Sequence, residues 1–314
     1  MGQTLSEPVT TKISATYENS RLRCGCSSMQ GWRITMEDAH TVELRLGGDE
    51  NVNFFAVFDG HGGRRISDYA SRNLHLRLIN NHKYQKGAIE DSLRQSFMQL
   101  DDEMHNSEDL MHDLAGTTAI AILIKSGKMY CANVGDSRAV ISYAGHAVPI
   151  SRDHKPNDAD EQRRILAGGG WVEFNRVNGN LALSRAFGDF NYKRNKSRRP
   201  EDQIVTAYPE LSVTALAPEI EFLVIACDGI WDVLTNSEVI DFCRRRIAKQ
   251  MEPAQICEEL MDQCLAPDRF MGGLGCDNMT VQLVCFLNDE PYTTLASRCA
   301  ALPSKTTPLT PTFF

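Results

Sequence analysis

The chain of 314 residues has no long apolar run and no excess of basic side chains. No apolar segment approaches the roughly 18 residues that a membrane-spanning helix needs, which excludes a protein that crosses the bilayer. The net charge is −8, from 41 acidic and 33 basic residues. This balance lacks the broad basic footprint of a nucleic-acid binder, so we expect no nucleic-acid partner.

Zinc and disulfide signals are also missing, although the chain has ten cysteines. Spacings such as Cys24-Gly25-Cys26 match no zinc pattern, and the first ten residues carry no secretory signal that would favour disulfides. We therefore expect reduced thiols, most of them in the core, and a cytoplasmic protein that could also be nuclear.

The two ends of the chain differ in composition from the middle. Residues 1–20 are polar and lack periodicity, which predicts a flexible leader. Residues 291–314 are rich in Ser, Thr and Pro, which predicts a disordered tail. The first six residues fit the pattern for N-myristoylation at Gly2. One acyl chain without a polybasic cluster binds membranes only marginally, so such an association would be weak and peripheral.

Four aspartates lie at the ends of predicted strands. Asp59 and Asp228 each follow an apolar run that stops at Asp-Gly, and Asp277 precedes the last predicted strand. Asp136 lies in a turn of a predicted antiparallel meander over residues 117–151. Carboxylates at the edge of an apolar core are costly unless a cation or several donors satisfy them. Oxygen ligands without a matching His or Cys set favour Mg²⁺ or Mn²⁺ over zinc.

Each Asp-Gly pair on its own is typical of a hairpin turn. However, Asp59-Gly60 leads into a helical segment, and Asp228-Gly229 precedes another, so neither pair joins two strands. Glycine after aspartate also lets the backbone carbonyl approach a metal closely. The set of acids therefore favours a metal site over turns.

Four further residues have side chains suited to phosphate chemistry. Arg33 precedes Glu37 and Asp38, and a guanidinium suits a bidentate grip on phosphate oxygens, whereas Glu37 could add a metal ligand. Alone, these residues would form a surface ion pair. His61 would by default be a partly exposed loop histidine, but beside a metal site it becomes a candidate general acid, which Asp38 would orient.

These residues belong to a series of ordered motifs between about residues 23 and 287. The motifs are Ser28-Met29-Gln30-Gly31-Trp32-Arg33, Met36-Glu37-Asp38-Ala39-His40, Phe58-Asp59-Gly60-His61-Gly62-Gly63, Gly116-Thr117-Thr118-Ala119, Asn133-Val134-Gly135-Asp136-Ser137-Arg138, Asp153-His154-Lys155-Pro156, Leu183-Ser184-Arg185-Ala186-Phe187-Gly188-Asp189, Ala226-Cys227-Asp228-Gly229-Ile230-Trp231-Asp232 and Asp277-Asn278. With these motifs the sequence resembles the type 2C family of metal-dependent serine/threonine protein phosphatases.

The resemblance implies an α+β fold, a central sandwich of two antiparallel β-sheets flanked by helices in four layers, with the catalytic domain over residues 21–290. It implies hydrolysis of phosphoserine and phosphothreonine by direct attack of a water that bridges two Mg²⁺ or Mn²⁺ ions. By the family's pattern, Arg33 would bind the substrate phosphate and His61 would protonate the leaving oxygen. The implied metal ligands are Asp59 for both ions, Asp228 and Asp277 for one, Glu37 and the Gly60 carbonyl for the other, and Asp136 for a weaker third ion.

The expected partners are phosphoprotein substrates, and we expect a monomer. Two other functions fit part of the pattern: an inactive phosphatase-like scaffold that binds phosphoproteins, and another two-metal phosphoesterase such as a nuclease. The intact set of acids argues against the scaffold, and the acidic balance and motif order argue against the nuclease. A basic stretch over residues 193–199 resembles a variable insertion beside the site, so the substrate specificity of the family does not carry over to this chain. The site motifs themselves recognise phosphate and do not name the protein substrate.

Overall fold

The computed structural model describes residues 4–268, 273–304 and 309–314, so Gly2 lies outside the described residues. The strands are β1 Thr4–Glu18, β2 Leu22–Arg33, β3 Ala39–Glu43, β4 Asn53–Phe58, β5 Gly60–His61, β6 Gly116–Thr117, β7 Ala119–Lys125, β8 Lys128–Val134, β9 Arg138–Tyr143, β10 His146–Pro149, β11 Val172–Glu173, β12 Arg176–Val177, β13 Phe187–Gly188, β14 Glu210–Ala215, β15 Ile220–Ala226, β16 Met279–Phe286 and β17 Thr312–Phe313. The α-helices are α1 Arg65–Ile79, α2 His82–Gln85, α3 Ile89–Asn106, α4 Ala159–Gly168, α5 Asp228–Trp231, α6 Asn236–Ile247, α7 Pro253–Cys264 and α8 Tyr292–Ala300.

Two six-stranded antiparallel sheets form the centre of the molecule. One sheet has the strand order β1-β2-β16-β15-β9-β10, and the other has the order β17-β14-β8-β7-β4-β3. Side chains from both sheets form a shared apolar core, with Phe55 and Val57 from one sheet and Leu223 from the other. This arrangement is the sandwich that the resemblance implied, and the prediction of the fold is confirmed.

The helices cover the outer face of each sheet. Phe54 and Phe58 of β4 contact the apolar faces of α1 and α3, whereas Phe55 and Val57 face the opposite sheet. On the other side, α6, α7 and α8 pack on β15 and β16. Since β4 is buried on both faces, it appears in the sequence as a continuous apolar run rather than an alternating one. Of the helices in the described ranges, none is both long and apolar enough to cross a membrane.

The prediction of a flexible leader is wrong for residues 4–18, which form the edge strand β1. This strand pairs with β2 in an antiparallel register that runs from Lys12↔Met29 to Glu18↔Arg23. No residue of β1 is fully buried, and Lys12 forms an ion pair of 2.6 Å with Asp262 of α7. The backbone pairing that holds β1 in place leaves little trace in composition, which explains the error.

The prediction of a disordered tail is also wrong in the described part of residues 291–314. The helix α8 buries Tyr292, Leu295 and Cys299 against the core, and β17 pairs with β14 through Ser212↔Phe313 and Val213↔Thr312. A segment rich in Ser and Thr can still fold when a few apolar residues recur at helical spacing.

The predicted meander is divided between the two sheets. The strands β7 and β8 form a hairpin in one sheet, but β9 and β10 belong to the other, so the chain crosses from sheet to sheet at Gly135-Asp136. Gly135 has φ +101°, a conformation that residues with a Cβ rarely adopt. This crossover brings Asp136 to the end of the sandwich where β4 and β15 terminate.

Candidate active site

Three of the predicted aspartates converge at one end of the sandwich. One carboxylate oxygen from each of Asp59, Asp136 and Asp228 lies within 4.8 Å of the other two. A second group with the same spacing contains Asp38, Asp59 and Cys227. Asp59 therefore belongs to both groups, at the point where β4 ends.

The glycines after Asp59 and Asp228 permit close backbone packing rather than hairpin turns. A Cβ on Gly60 would lie 2.3 Å from the carbonyl oxygen of Glu37, and one on Gly229 would lie 2.2 Å from that of Asn278. A side chain at either position would push apart segments that carry the site. At both positions the requirement for glycine is therefore space for the backbone carbonyl of a neighbouring segment.

The acids of the cluster have few cations near them. Burial raises the pKa of Asp59 well above its usual range, and Asp228 raises it further. Burial likewise raises the pKa of Asp228, followed by the charge of Asp136. Among the described residues, Lys155 pairs with Asp136 and Arg33 pairs with Asp277. The site therefore holds more buried negative charge than its own cations balance, which fits residues that bind divalent cations through oxygen.

Asp38 lies inside the site but not where the sequence analysis placed it. Its carboxylate is buried beside Asp59 and Cys227, and neither oxygen makes a hydrogen bond of standard geometry within the described part of the chain. Burial raises the pKa of Asp38 to about 7, although Thr280 and Cys227 partly oppose this shift. An orphaned buried carboxylate of this kind is expected beside a cation site.

The predicted contact between Asp38 and His61 is wrong, because the partner of His61 is Asp189. The Nε2 atom of His61 and Oδ2 of Asp189 are 2.7 Å apart. Burial lowers the pKa of His61, but the charge of Asp189 and the hydrogen bond to it raise this pKa by more. Asp189 ends the motif that includes Ala186-Phe187-Gly188, and nothing local in that motif identified its role, because the contact spans 128 positions in sequence.

Glu37 and Asp277 lie on segments that Asn278 ties together. The Glu37 backbone N–H donates to the Asn278 side-chain oxygen at 2.9 Å, and the Asn278 amide donates to the Thr35 carbonyl at 2.9 Å. The Glu37 carboxylate accepts hydrogen bonds from the Gly63 N–H and the Thr35 hydroxyl. Neither Glu37 nor Asp277 belongs to the two tight groups of ligand atoms found among the described residues.

Arg33 lies at the open side of the acidic cluster. Its side chain is 40% exposed and donates to Asp277. Burial lowers the pKa of Arg33, but Asp277, Asp228 and Asp59 raise it by more, so the guanidinium remains charged. A charged, partly exposed guanidinium that faces carboxylates can contact an anion held above them.

A sequence model of the family described as Protein phosphatase 2C matches residues 22–269. This chain belongs to the protein phosphatase 2C family. This phosphatase 2C is 54% identical over 300 residues to a probable protein phosphatase 2C of Caenorhabditis elegans, over 96% of this chain and 84% of that one. It is 48% identical over 308 residues to the protein phosphatase 2C homolog 3 of Schizosaccharomyces pombe, over 96% and 74% of the two chains.

Solved structures agree with this assignment. The fold of this phosphatase 2C is similar to the crystal structure of a phosphatase from Toxoplasma gondii, with a TM-score of 0.75 and 25% identity over 97% of this chain and 99% of that chain. A serine-threonine phosphatase 2C from the same organism has a TM-score of 0.76 at 21% identity, over 88% and 99%. The chain is thus a serine/threonine protein phosphatase of a metal-dependent family, and its substrates are phosphoproteins.

Proposed function

We propose that this phosphatase 2C hydrolyses phosphoserine and phosphothreonine with two divalent cations, Mg²⁺ or Mn²⁺, bound at the acidic cluster. The observation that carries the proposal is the convergence of oxygens from Asp59, Asp136 and Asp228 within 4.8 Å, where burial raises all three pKa values and neighbouring acids of the site further raise those of Asp59 and Asp228. Such a cluster is stable as charged carboxylates only when cations enter it.

The proposed ligands follow the family's pattern. Asp59 would contact both cations, and the close approach of its carboxylate to those of Asp136 and Asp228 supports a place at the centre of the site. Asp228 and Asp277 would complete one site, Glu37 and the Gly60 carbonyl would complete the other, and Asp136 would hold a weaker third cation. When bound, the cations would activate the attacking water and offset charge on the phosphate.

Two side chains of this chain would act on the substrate directly. Arg33 would bind the non-bridging phosphate oxygens, because one guanidinium nitrogen pairs with Asp277 while the side chain stays 40% exposed. His61 would donate a proton to the serine or threonine oxygen as it leaves. Both residues border the acidic cluster, since the charges of Asp59 and Asp136 respectively act on them.

The experiment that tests the proposal is release of phosphate from a phosphothreonine peptide by the purified chain. Mn²⁺ or Mg²⁺ is titrated in and then removed by a chelator, for the wild type, for Asp228→Asn and for the control Asp202→Asn. Asp202 is an acid that pairs with Arg199 on the surface, so its variant should keep the metal-dependent activity.

We expect metal-dependent release that Asp228→Asn loses. Calorimetric binding of Mn²⁺ by the wild type without any release of phosphate would support the inactive scaffold instead. Preferential hydrolysis of a nucleic-acid phosphodiester would support the alternative phosphoesterase.

A further inference from the structure

His61 and Asp189 form a partly buried hydrogen-bonded pair at the rim of the acidic cluster. The Asp189 side chain is 5% exposed and the His61 side chain is 28% exposed, with 2.7 Å between Nε2 and Oδ2. Within the described part of the chain, the other ring nitrogen, Nδ1, makes no hydrogen bond. One edge of the imidazole is therefore held by the protein, and the other remains available to a substrate.

The backbone that carries Asp189 has an unusual conformation. Asp189 has φ 50° and ψ 38°, in the left-handed region that residues other than glycine seldom adopt. Such strain persists only where the surroundings hold it. The Asp189 N–H donates to the Ala115 carbonyl at 3.0 Å, and this bond fixes the aspartate against the segment that precedes β6.

A buried ion pair holds the residue just before Asp189. The Gly188 N–H donates to Asp101 of α3 at 2.9 Å, and the same carboxylate pairs with Lys193 at 2.7 Å. The Asp101 and Lys193 side chains are only 10% and 9% exposed. Lys193 also donates to the Ala186 carbonyl at 2.8 Å, so both ends of this short segment are anchored to one charged centre.

Gly116 supplies the space that the pair occupies. A Cβ at this position would lie 2.1 Å from Oδ2 of Asp189 and 2.5 Å from Nε2 of His61. Since both distances are far below contact distance, any larger residue here would separate the two side chains. The requirement for glycine in the Gly116-Thr117 strand thus comes from the pair itself.

From this geometry we infer that Asp189 is a positioning residue for His61. By accepting a hydrogen bond from Nε2–H, Asp189 fixes the orientation of the imidazole ring and directs Nδ1 towards the leaving oxygen of the substrate. In the reaction, the Nδ1–H bond breaks and the proton passes to the leaving oxygen, while the Nε2–H bond and its contact with Asp189 persist. Water then returns a proton to Nδ1. This inference rests on the general-acid role proposed above for His61.

A double-mutant cycle tests the inference. The variants are His61→Gln, Asp189→Asn and the double variant, each measured with a phosphothreonine peptide and with p-nitrophenyl phosphate at saturating Mn²⁺. The peptide has a poor alkoxide leaving group, whereas nitrophenolate leaves readily without a proton. We expect Asp189→Asn to lower kcat for the peptide by roughly 10- to 100-fold with an unchanged KM, and to lower kcat for the aryl phosphate by less than about threefold.

The double variant should be no slower than His61→Gln alone, because a positioning residue has no effect once the residue that it positions is absent. A residue that only supports the fold would instead slow both substrates and would lower kcat further in the His61→Gln background. That second result would overturn the inference.

The variant Gly116→Ala should separate His61 from Asp189 while both side chains remain present. It should reproduce the selective loss on the peptide substrate, and it keeps the inference testable if Asp189→Asn does not fold. The control Asp202→Asn changes an exposed acid beyond the same segment and should leave both rates unchanged. Folding of each variant is checked by thermal denaturation and by calorimetric binding of Mn²⁺.

Failure of this inference differs from failure of the proposed function. If His61→Gln slows both substrates equally, the general-acid role of His61 is wrong. If His61→Gln is selective for the peptide but Asp189→Asn adds to it independently, His61 remains the acid and only the role of Asp189 is wrong.

Discussion

Two regions of this phosphatase bury carboxylates, and the pKa values of these carboxylates shift in opposite directions. Glu161 of α4 is buried, yet it pairs with Arg185 at 2.6 Å and with Arg164 at 2.7 Å and accepts a hydrogen bond from Ser184. Burial alone would raise the pKa of Glu161, but the two arginines hold it well below its usual range. At the end of β4, burial and neighbouring acids raise the pKa of Asp59.

The difference lies in where the positive charge comes from. The Glu161 network contains its own cations and is complete within the chain, so its role is to hold α4 against the segment around Arg185. In the acidic cluster around Asp59, Lys155 pairs with Asp136 and Arg33 pairs with Asp277, but no ion pair reaches Asp59 or Asp228 among the described residues. Buried acids alone therefore do not identify a metal site, whereas buried acids without enough cationic partners do.

Among the variants that test this comparison, Asp59→Asn is expected to have the largest effect. Because a neutral amide cannot bridge two cations well, metal-dependent hydrolysis of the phosphothreonine peptide should fall by on the order of 10³ or more. In the absence of metal at pH 7, the same variant should be more stable than the wild type by about 1 kcal/mol or more, because one of several mutually repelling buried charges is gone.

The measurements are phosphate release with saturating Mn²⁺ and urea denaturation in a chelator. A variant that keeps wild-type activity would remove Asp59 from the site. A variant that loses stability in chelator would mean that Asp59 contributes to the fold in the way Glu161 does, and the comparison would not hold.

Glu161→Gln should have the opposite effect on stability. Loss of this charge leaves Arg164 and Arg185 uncompensated in a buried setting, which costs about 3–5 kcal/mol in the free energy of unfolding. The matched control is Glu259→Gln, which breaks the partly exposed pair of Arg246 and Glu259 and should cost less than about 1 kcal/mol. Urea denaturation of both variants measures the difference, and equal losses would show that burial does not strengthen the Glu161 network.

Divalent cations should stabilise the chain through only one of the two regions. Since the cations bind the folded chain, Mn²⁺ at about 100 times its dissociation constant should add about 2.7 kcal/mol to the stability. Calorimetric scans with and without Mn²⁺ should show this gain in the wild type and in Glu161→Gln, and a much smaller gain in Asp59→Asn. An equal gain in all three proteins would place the cations outside the acidic cluster.

The sequence contains strong local signals for the acidic cluster around Asp59. Asp59 and Asp228 follow apolar runs that end at Asp-Gly, and these runs form the buried strands β4 and β15, so their placement at the strand ends could be predicted. The capping box of Thr235 and Glu238 at the start of α6 is also local, and the structure contains it. Signals of this kind depend only on residues within a few positions of one another.

The remaining features depend on contacts that are distant in sequence. The edge strand β1 is held by backbone pairing with β2, and the crossover at Gly135 depends on which sheet accepts β9. The partner of His61 lies 128 positions away, and Glu161 is paired with arginines rather than capping α4. No local pattern distinguishes these arrangements from their alternatives, which is why the sequence analysis assigned Asp38 to His61.

His154 allows the smallest and most specific test of the Glu161 network. Burial, followed by the charge of Arg185, lowers the pKa of His154 from 6.5 to about 3. Between pH 6.5 and 3 the unfolded chain binds a proton at His154 that the folded chain does not bind. The stability contributed by neutral His154 is therefore complete above pH 6.5 and is lost as the pH falls towards 3. The free energy of unfolding should therefore decrease by up to about 1.4 kcal/mol per pH unit over this range.

In the wild type the Gly135 N–H donates to Nδ1 of His154. The variant His154→Asn keeps an acceptor for this N–H, but the asparagine side chain cannot take up a proton. Between pH 7 and 5, before most carboxylates titrate, the stability of this variant should vary less with pH than that of the wild type. His82→Asn replaces an exposed histidine and should keep the wild-type slope. Equal slopes in all three proteins would mean that His154 accepts its proton in the folded state, as a third cation beside Glu161 in addition to Arg164 and Arg185.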